Sequence, residues 1–203
     1  MTLMLKKFTK SWFFIVGMFL LSSCSLLPEP NDIPDRFLLE SIPPSSASKR
    51  AKKSAIIIDT PSVYTPLDNT RIALLPTANT IDYIADIEWG DRLSVLVHES
   101  LIQSFQNAAL FESVGRLNTG LQAKYLVTVD VREFFRRCCD HKAVATYFVQ
   151  VFSLSDRKSL NSKLFSQAVS IPDDKAVTVP LSLNQAHKKV VADILSWLEK
   201  VID

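Results

Sequence analysis

From Lys124 to Phe134 the chain reads as an alternating segment. Tyr125, Val127, Val129 and Val131 fall on one side; Thr128, Asp130 and Arg132 fall on the other. Successive side chains of a strand point to opposite faces, so this segment predicts a strand with one buried face and one polar face. The next segment, Ala143 to Leu154, is apolar on both faces: Ala145, Tyr147, Val149 and Val151 against Val144, Phe148, Phe152 and Leu154. That pattern predicts a central strand. Ser155-Asp156-Arg157-Lys158 reads as a hairpin turn into a further strand, Leu160 to Ile171.

Earlier in the chain, Arg36 to Ile42 (around Phe37-Leu38-Leu39), Ala55 to Ile58 and Arg71 to Leu75 read as strands, the second stopped by Asp59-Thr60-Pro61 and the third by Pro76. Trp89, Leu93, Leu96, Val97, Leu101, Phe105 and Ala108 form one stripe at helical spacing, with Asp91, Arg92, Ser94, Glu99, Gln103 and Gln106 facing away. A last helix carries Leu183, Val190, Val191, Ile194, Leu198 and Val201, with Trp197 beside them, and Ser182 and Gln185 form a capping-box pattern at its start. Two helices and five or six strands predict an α/β (α+β) fold: a two-layer sandwich of a mixed or antiparallel sheet with the two main helices on one face.

The N-terminus has its own logic. Lys6, Lys7 and Lys10 precede a short apolar run, Trp12 to Leu20, and then Leu21-Ser22-Ser23-Cys24. The run is about half the ~20 residues a spanning helix requires, and fits a secretory h-region. A cysteine after Leu-Ser-Ser reads as a bacterial lipoprotein signal. The expected organisation is a removed signal peptide at 1–23, a lipidated Cys24 and Pro-rich tether at 24–34, and a single periplasmic domain at 35–203. The competing reading is an uncleaved membrane anchor. The residue after Cys24 is Ser25 and not Asp, the familiar inner-membrane retention signal, which favours the outer membrane. Ten extended tether residues reach at most ~35 Å. Lys49, Arg50, Lys52 and Lys53 follow a serine-rich loop and read either as a solvated loop or as a contact for anionic headgroups.

The 203 residues include 23 Lys+Arg and 21 Asp+Glu. The first 23 residues hold three lysines and no acid, so the remainder carries a formal charge of −1. The apparent basicity belongs to the signal segment and gives no support to a nucleic-acid partner. At 47% hydrophobic residues over the full sequence the chain can build a core, and the length left after residue 23 suits one domain. Two cysteines remain, Cys138 and Cys139. Their neighbours Asp140 and His141 raise a metal reading, but structural zinc ligands are usually spaced by two or more residues. The other readings are a vicinal or intermolecular disulfide, or thiols at a strand end.

Chemistry is otherwise sparse. The four glycines, Gly17, Gly90, Gly115 and Gly120, make no phosphate-cradling loop. The three histidines, His98, His141 and His187, match no zinc motif, and no Gly-x-Ser-x-Gly elbow occurs. His98 and His187 read as surface or boundary residues of helices. No catalytic residue, cofactor or metal site is predicted, and nothing in the sequence argues for an enzyme. Asp130 and Arg132, on the polar face of one strand, are either a solvated pair or part of a partner contact.

Leu67-Asp68-Asn69-Thr70-Arg71-Ile72-Ala73, then Ile81-Asp82-Tyr83-Ile84-Ala85 ahead of Trp89, then Val129-Asp130-Val131-Arg132-Glu133-Phe134 follow one another in order, and a strand pair and a helix ending near Trp197 come after. In this the chain resembles the auxiliary lipoproteins of bacterial ABC-type lipid transporters, which accompany proteins with mammalian-cell-entry (MCE) domains. It departs from them at Pro66, where many members carry Gly, in an extra residue before Thr70, and in the Cys138-Cys139 pair. The resemblance implies a non-catalytic, membrane-tethered subunit that docks on an MCE-domain protein served by an ABC permease and ATPase. Two other readings stay open: an envelope scaffold lipoprotein without a transport role, and a domain that itself carries a phospholipid.

Overall fold

The alternating segment forms a single strand, Tyr125–Arg137, and the rest of the sheet is arranged around it. The computed structural model of the protein describes residues 34–44 and 54–202. Cys24, the predicted signal peptide, nearly all of the tether and the cluster from Lys49 to Lys53 lie outside them. The elements run β1 (Asp35–Phe37), β2 (Ile56–Ile58), β3 (Ser62–Val63), β4 (Arg71–Thr77), β5 (Thr80–Trp89), α1 (Leu93–Ala108), β6 (Val114–Arg116), β7 (Tyr125–Arg137), a 3-10 turn (Cys138–Asp140), β8 (Lys142–Ser153), β9 (Lys158–Ser170) and α2 (Thr178–Val201). The architecture is the mixed sheet with two main helices that the periodicities predict.

One edge of β7 is paired from end to end by antiparallel β8, from Tyr125 opposite Ser153 to Arg137 opposite Lys142. The other edge is shared by three short parallel strands in succession: β2 along Tyr125–Val127, β3 along Asp130–Val131, and β4 at Arg136 and Arg137. Parallel β6 extends β2, antiparallel β5 extends β4, and parallel β1 extends β5. Antiparallel β9 pairs along β8. The predicted central place of β8 follows from its two apolar faces: it lies between β7 and β9.

A register shift between Val131 and Glu133 changes which residues of β7 point inward. Before it, Val127, Val129 and Val131 are buried; after it, Phe134 is. A bulge adds one residue to one strand and re-aims the side chains that follow. Here it places Arg132 and Glu133 consecutively on the polar side. Inside, Tyr147, Val149 and Val151 of β8 share one buried cluster with Leu101 and Phe105 of α1 and Leu183, Val190, Ile194 and Leu198 of α2, all nearly inaccessible to solvent. Full burial of each such aliphatic side chain is worth ~1.5–3 kcal/mol.

Some expectations change. Trp89 is not on the helix; it ends β5, donates its backbone N–H to the Thr70 carbonyl at 2.6 Å, and packs on Phe134 with ring centroids 5.8 Å apart. Ser182 and Gln185 do not open the last helix, which begins at Thr178; the Ser182 hydroxyl instead donates to the Thr178 carbonyl at 2.8 Å. Pro180 is accommodated because first-turn N–H groups lack helical partners. Pro76 lies inside β4, at a register shift between Leu74 and Thr77, where its missing N–H takes no ladder bond away. The sheet also holds β3, β5 and β6, beyond the five or six strands expected.

Candidate docking surface

Two constellations stand out, one sealed and one open. The sealed one joins Ser100 of α1, His187 of α2 and Tyr147 of β8. Ser100 Oγ lies 2.7 Å from His187 Nε2, and the Tyr147 hydroxyl lies 2.7 Å from His187 Nδ1. Ser100 donates its own proton to the Glu40 carbonyl at 2.9 Å. It must therefore accept from Nε2–H, which leaves Nδ1 to accept from Tyr147. Burial, with a smaller push from the Lys188 charge, lowers the His187 pKa to about 3. Burial raises the Tyr147 pKa. A serine beside a histidine can be a nucleophile and its base. Here Ser100 and His187 are 1% and 0% exposed, and the serine proton is already committed. The cluster is a clasp.

What it clasps is the extended segment after β1. Glu40 N–H donates to Asn184 Oδ1 (3.0 Å) and Ile42 N–H to Ser104 Oγ (2.9 Å). Asn107 Nδ2 donates to the Ile42 carbonyl at 2.8 Å, and Lys188 Nζ lies 2.7 Å from Glu40 Oε2. Residues 40 and 42 thus have both backbone groups satisfied by side chains of the two helices, as they would be in a sheet. His98 and His187 are both buried, contrary to the surface role expected of them; Nε2 of His98 lies 3.1 Å from the Ile58 carbonyl. Each falls within its helix's apolar stripe, His187 four residues after Leu183 and three before Val190, and that spacing was the available signal.

The open constellation is a groove of about 360 Å³ on the polar side of the sheet. Tyr64, Pro66, Leu67, Leu75, Ile81, Arg132, Glu133 and Phe135 contribute to its lining. Tyr64 is 68% exposed and Ile81 39%. Three segments distant in sequence meet here: the Leu67 turn, the start of β5 and the β7 bulge. The turn is rigidly built. Asn69 Nδ2 and the Tyr83 hydroxyl both donate to the Pro66 carbonyl, at 2.8 and 2.9 Å, and the Arg71 guanidinium sits 3.7 Å from the Tyr83 ring centroid. Asp68 reaches away from the groove, accepting the Ser94 N–H at 2.9 Å in the first turn of α1. It caps a helix that has no side-chain cap of its own.

Asp130 and Arg132 form an ion pair at 3.2 Å on this polar side, each about half exposed, and Arg132 lies 4.5 Å from the Phe148 ring centroid. Only Arg132 of the two lines the groove. Glu133 accepts from the Thr146 hydroxyl, which in turn meets Ser166 Oγ at 2.8 Å, so a polar ladder crosses β7, β8 and β9. Tyr64 and Phe135 carry no signal in the sequence, and Ile81 enters only through the motif ahead of Trp89. An isolated aromatic in a Pro-flanked turn carries no period, and only the bulge turns Phe135 toward the groove.

Cys138 and Cys139 occupy the 3-10 turn between β7 and β8 and are not disulfide-bonded. Asp140 binds Arg137 through two hydrogen bonds, which hold its carboxyl below the ordinary range, and His141 Nδ1 lies 3.4 Å from Asp174 Oδ1. Among the described residues no three His, Cys, Asp or Glu side chains converge as metal ligands, and no helix is long and apolar enough to cross a membrane.

Solved structures share this architecture. A Xanthomonas campestris protein of the DUF330 family superposes with a TM-score of 0.73 at 16% identity, covering 82% of this chain and 95% of that one. An uncharacterised protein gives 0.65 at 12% identity over 82% and 99%. A hypothetical protein of Chlamydia trachomatis gives 0.50 at 11% identity over 74% and 98%. At these identities the likeness establishes the fold alone. No curated protein matches the sequence. A family model does match, over residues 37–195, from the end of β1 nearly to the end of α2. The chain belongs to the family of ABC-type transport auxiliary lipoprotein components.

Proposed function

We propose that this protein is a lipid-anchored periplasmic subunit of an ABC-type intermembrane lipid transport system, acting by docking on its MCE-domain component and not by catalysis. The groove beside Arg132 carries the reading. It gathers the Leu67, Ile81 and Arg132 segments, and it offers exposed apolar side chains next to an ion-paired arginine, the composition of a contact surface. Acyl chains on Cys24 would hold the domain at the outer membrane and raise its effective concentration for a partner reaching across the periplasm.

The test is co-purification of the full-length lipidated chain with an MCE-domain protein, its permease and its ATPase from gently solubilised envelopes. Association is expected, together with at least a tenfold loss for Arg132→Glu or Ile81→Asp. No association of the unaltered chain would overturn the reading; undiminished association of both variants would move the contact elsewhere. Cys24→Ser is expected to leave an unprocessed precursor, and Ser25→Asp to shift the protein toward the inner membrane. Normal lipid labelling of Cys24→Ser would remove the anchor from the proposal.

A further inference from the structure

We propose that the outer edge of β9, with the groove it forms against α2, is a strand-addition site for an extended acidic segment of a protein partner. This goes beyond the groove at Arg132 and does not depend on it.

β9 is thirteen residues long and, among the described residues, pairs only with β8. Its opposite edge presents a row of backbone N–H and C=O groups, and it contains no proline or glycine to interrupt them. Such an edge is a template for another strand. The other sheet ends, β1 and β6, are three residues each, too short for an equivalent ladder.

The edge is accompanied by a groove. Lys163 to Ser166 form one side, and Asp193, Ser196, Trp197 and Lys200 of α2 the other, enclosing about 500 Å³. Trp197 closes the bottom edge-on against Phe165, with ring centroids 5.5 Å apart. An added strand would turn alternate side chains into this space, the arrangement by which strand-adding domains gain sequence preference.

Charge names the occupant. Lys163 and Lys200 line the groove, while its one carboxylate, Asp193, accepts a hydrogen bond from Gln167 at 2.6 Å. Lys200 also borders the adjoining groove of about 490 Å³, where Lys124 stands with Asp156. Among the described residues lining the two grooves there are three lysines, Lys124, Lys163 and Lys200, and two carboxylates, Asp156 and Asp193. Two β9 edges paired symmetrically would bring the lysines of both copies onto one seam, and like charges opposed across strands destabilise pairing. An acidic strand meets the same lysines favourably.

The experiment is amide hydrogen exchange on the full-length chain in detergent, with a twelve-residue peptide alternating Val and Glu and a second alternating Val and Lys. The Val/Glu peptide is expected to slow exchange in β9 saturably, by at least tenfold, and the Val/Lys peptide to leave it unchanged. Lys163→Glu combined with Lys200→Glu, both at exposed positions, should reverse that preference. Unchanged β9 exchange at millimolar Val/Glu peptide would overturn the proposal. So would β9 protection that grows with protein concentration alone, which assigns the edge to a second copy, or protection by phosphatidylglycerol vesicles without response to either peptide.

Discussion

The Tyr147 hydroxyl and His187 Nδ1 lie 2.7 Å apart in a wholly buried site, and that contact fixes the histidine as a neutral acceptor. Its pKa of about 3 in the folded chain stands below the ~6.5 of an unfolded one. As pH falls below the unfolded value, the unfolded chain takes up a proton that the native chain refuses. The stabilisation is thus complete above pH ~6.5 and is lost progressively down to about pH 3, at ~1.4 kcal/mol per pH unit. Between pH 6.5 and 4.5 this one group should cost ~2–3 kcal/mol. Urea titrations across that range check it: His187→Gln should flatten the slope by about that amount, and an equal slope in both proteins would refute the assignment.

The segment around Glu40 and Ile42 is held by side chains, so it can be released one bond at a time. Ser104→Ala removes the acceptor of the Ile42 N–H and Asn107→Ala the donor to its carbonyl. Each should cost ~1 kcal/mol. The double variant should also be cleaved near Leu38-Leu39 by dilute protease well before the domain unfolds. Cleavage no faster than in the unaltered protein would show that the helices do not hold this segment.

Asp68 caps α1 from a turn twenty-six residues upstream. Asp68→Ala should lower stability by ~1 kcal/mol, while Asp68→Asn, which keeps an acceptor oxygen, should recover most of it. Chemical denaturation midpoints of the two variants decide between a cap and a mere charge, because a charge effect would be lost equally in both.

Ala109 ends α1 with φ 50° and ψ 33°, a left-handed conformation that its Cβ resists. Glycine carries no such penalty and is the usual residue there. Ala109→Gly should raise stability by ~1 kcal/mol. A lower melting temperature would mean that the Ala109 side chain contributes packing its exposure does not suggest.

The strands that sequence made legible are those with internal periodicity. β7 and β8 are long and their faces differ in composition, so Val127, Val129 and Tyr147 announce a core. β3 is only Ser62–Val63; it is a strand because β7 lies beside it, and no property of two residues encodes that. The bulge after Val131 was equally silent: the alternation continues through Arg132, and only the pairing with Tyr147 and Thr146 shows the shift. Since that shift brings Arg132, Glu133 and Phe135 to the groove, the candidate site was legible as a strand face carrying Asp130 and Arg132 but not as a concave surface. The buried histidines depart from the sequence expectation for another reason. Polarity suggests solvent, whereas Ser100 and Tyr147 for His187, and the Ile58 carbonyl for His98, supply the partners that make burial tolerable.

The division of one edge of β7 among β2, β3 and β4 bears on when the protein can fold. Ile56–Ile58, Ser62–Val63 and Arg71–Thr77 each wait for a strand that begins at Tyr125. A polypeptide emerging N-terminus first can close the hairpin of β4 and β5 and lay β1 along it, but β2 and β3 have no strand to join until β6 and β7 have appeared. Contacts of such long sequence separation form late and slowly. The topology works as a built-in delay: β2 and β3 stay unplaced until the chain has been made past its midpoint, and the sheet then closes around β7 as one late event.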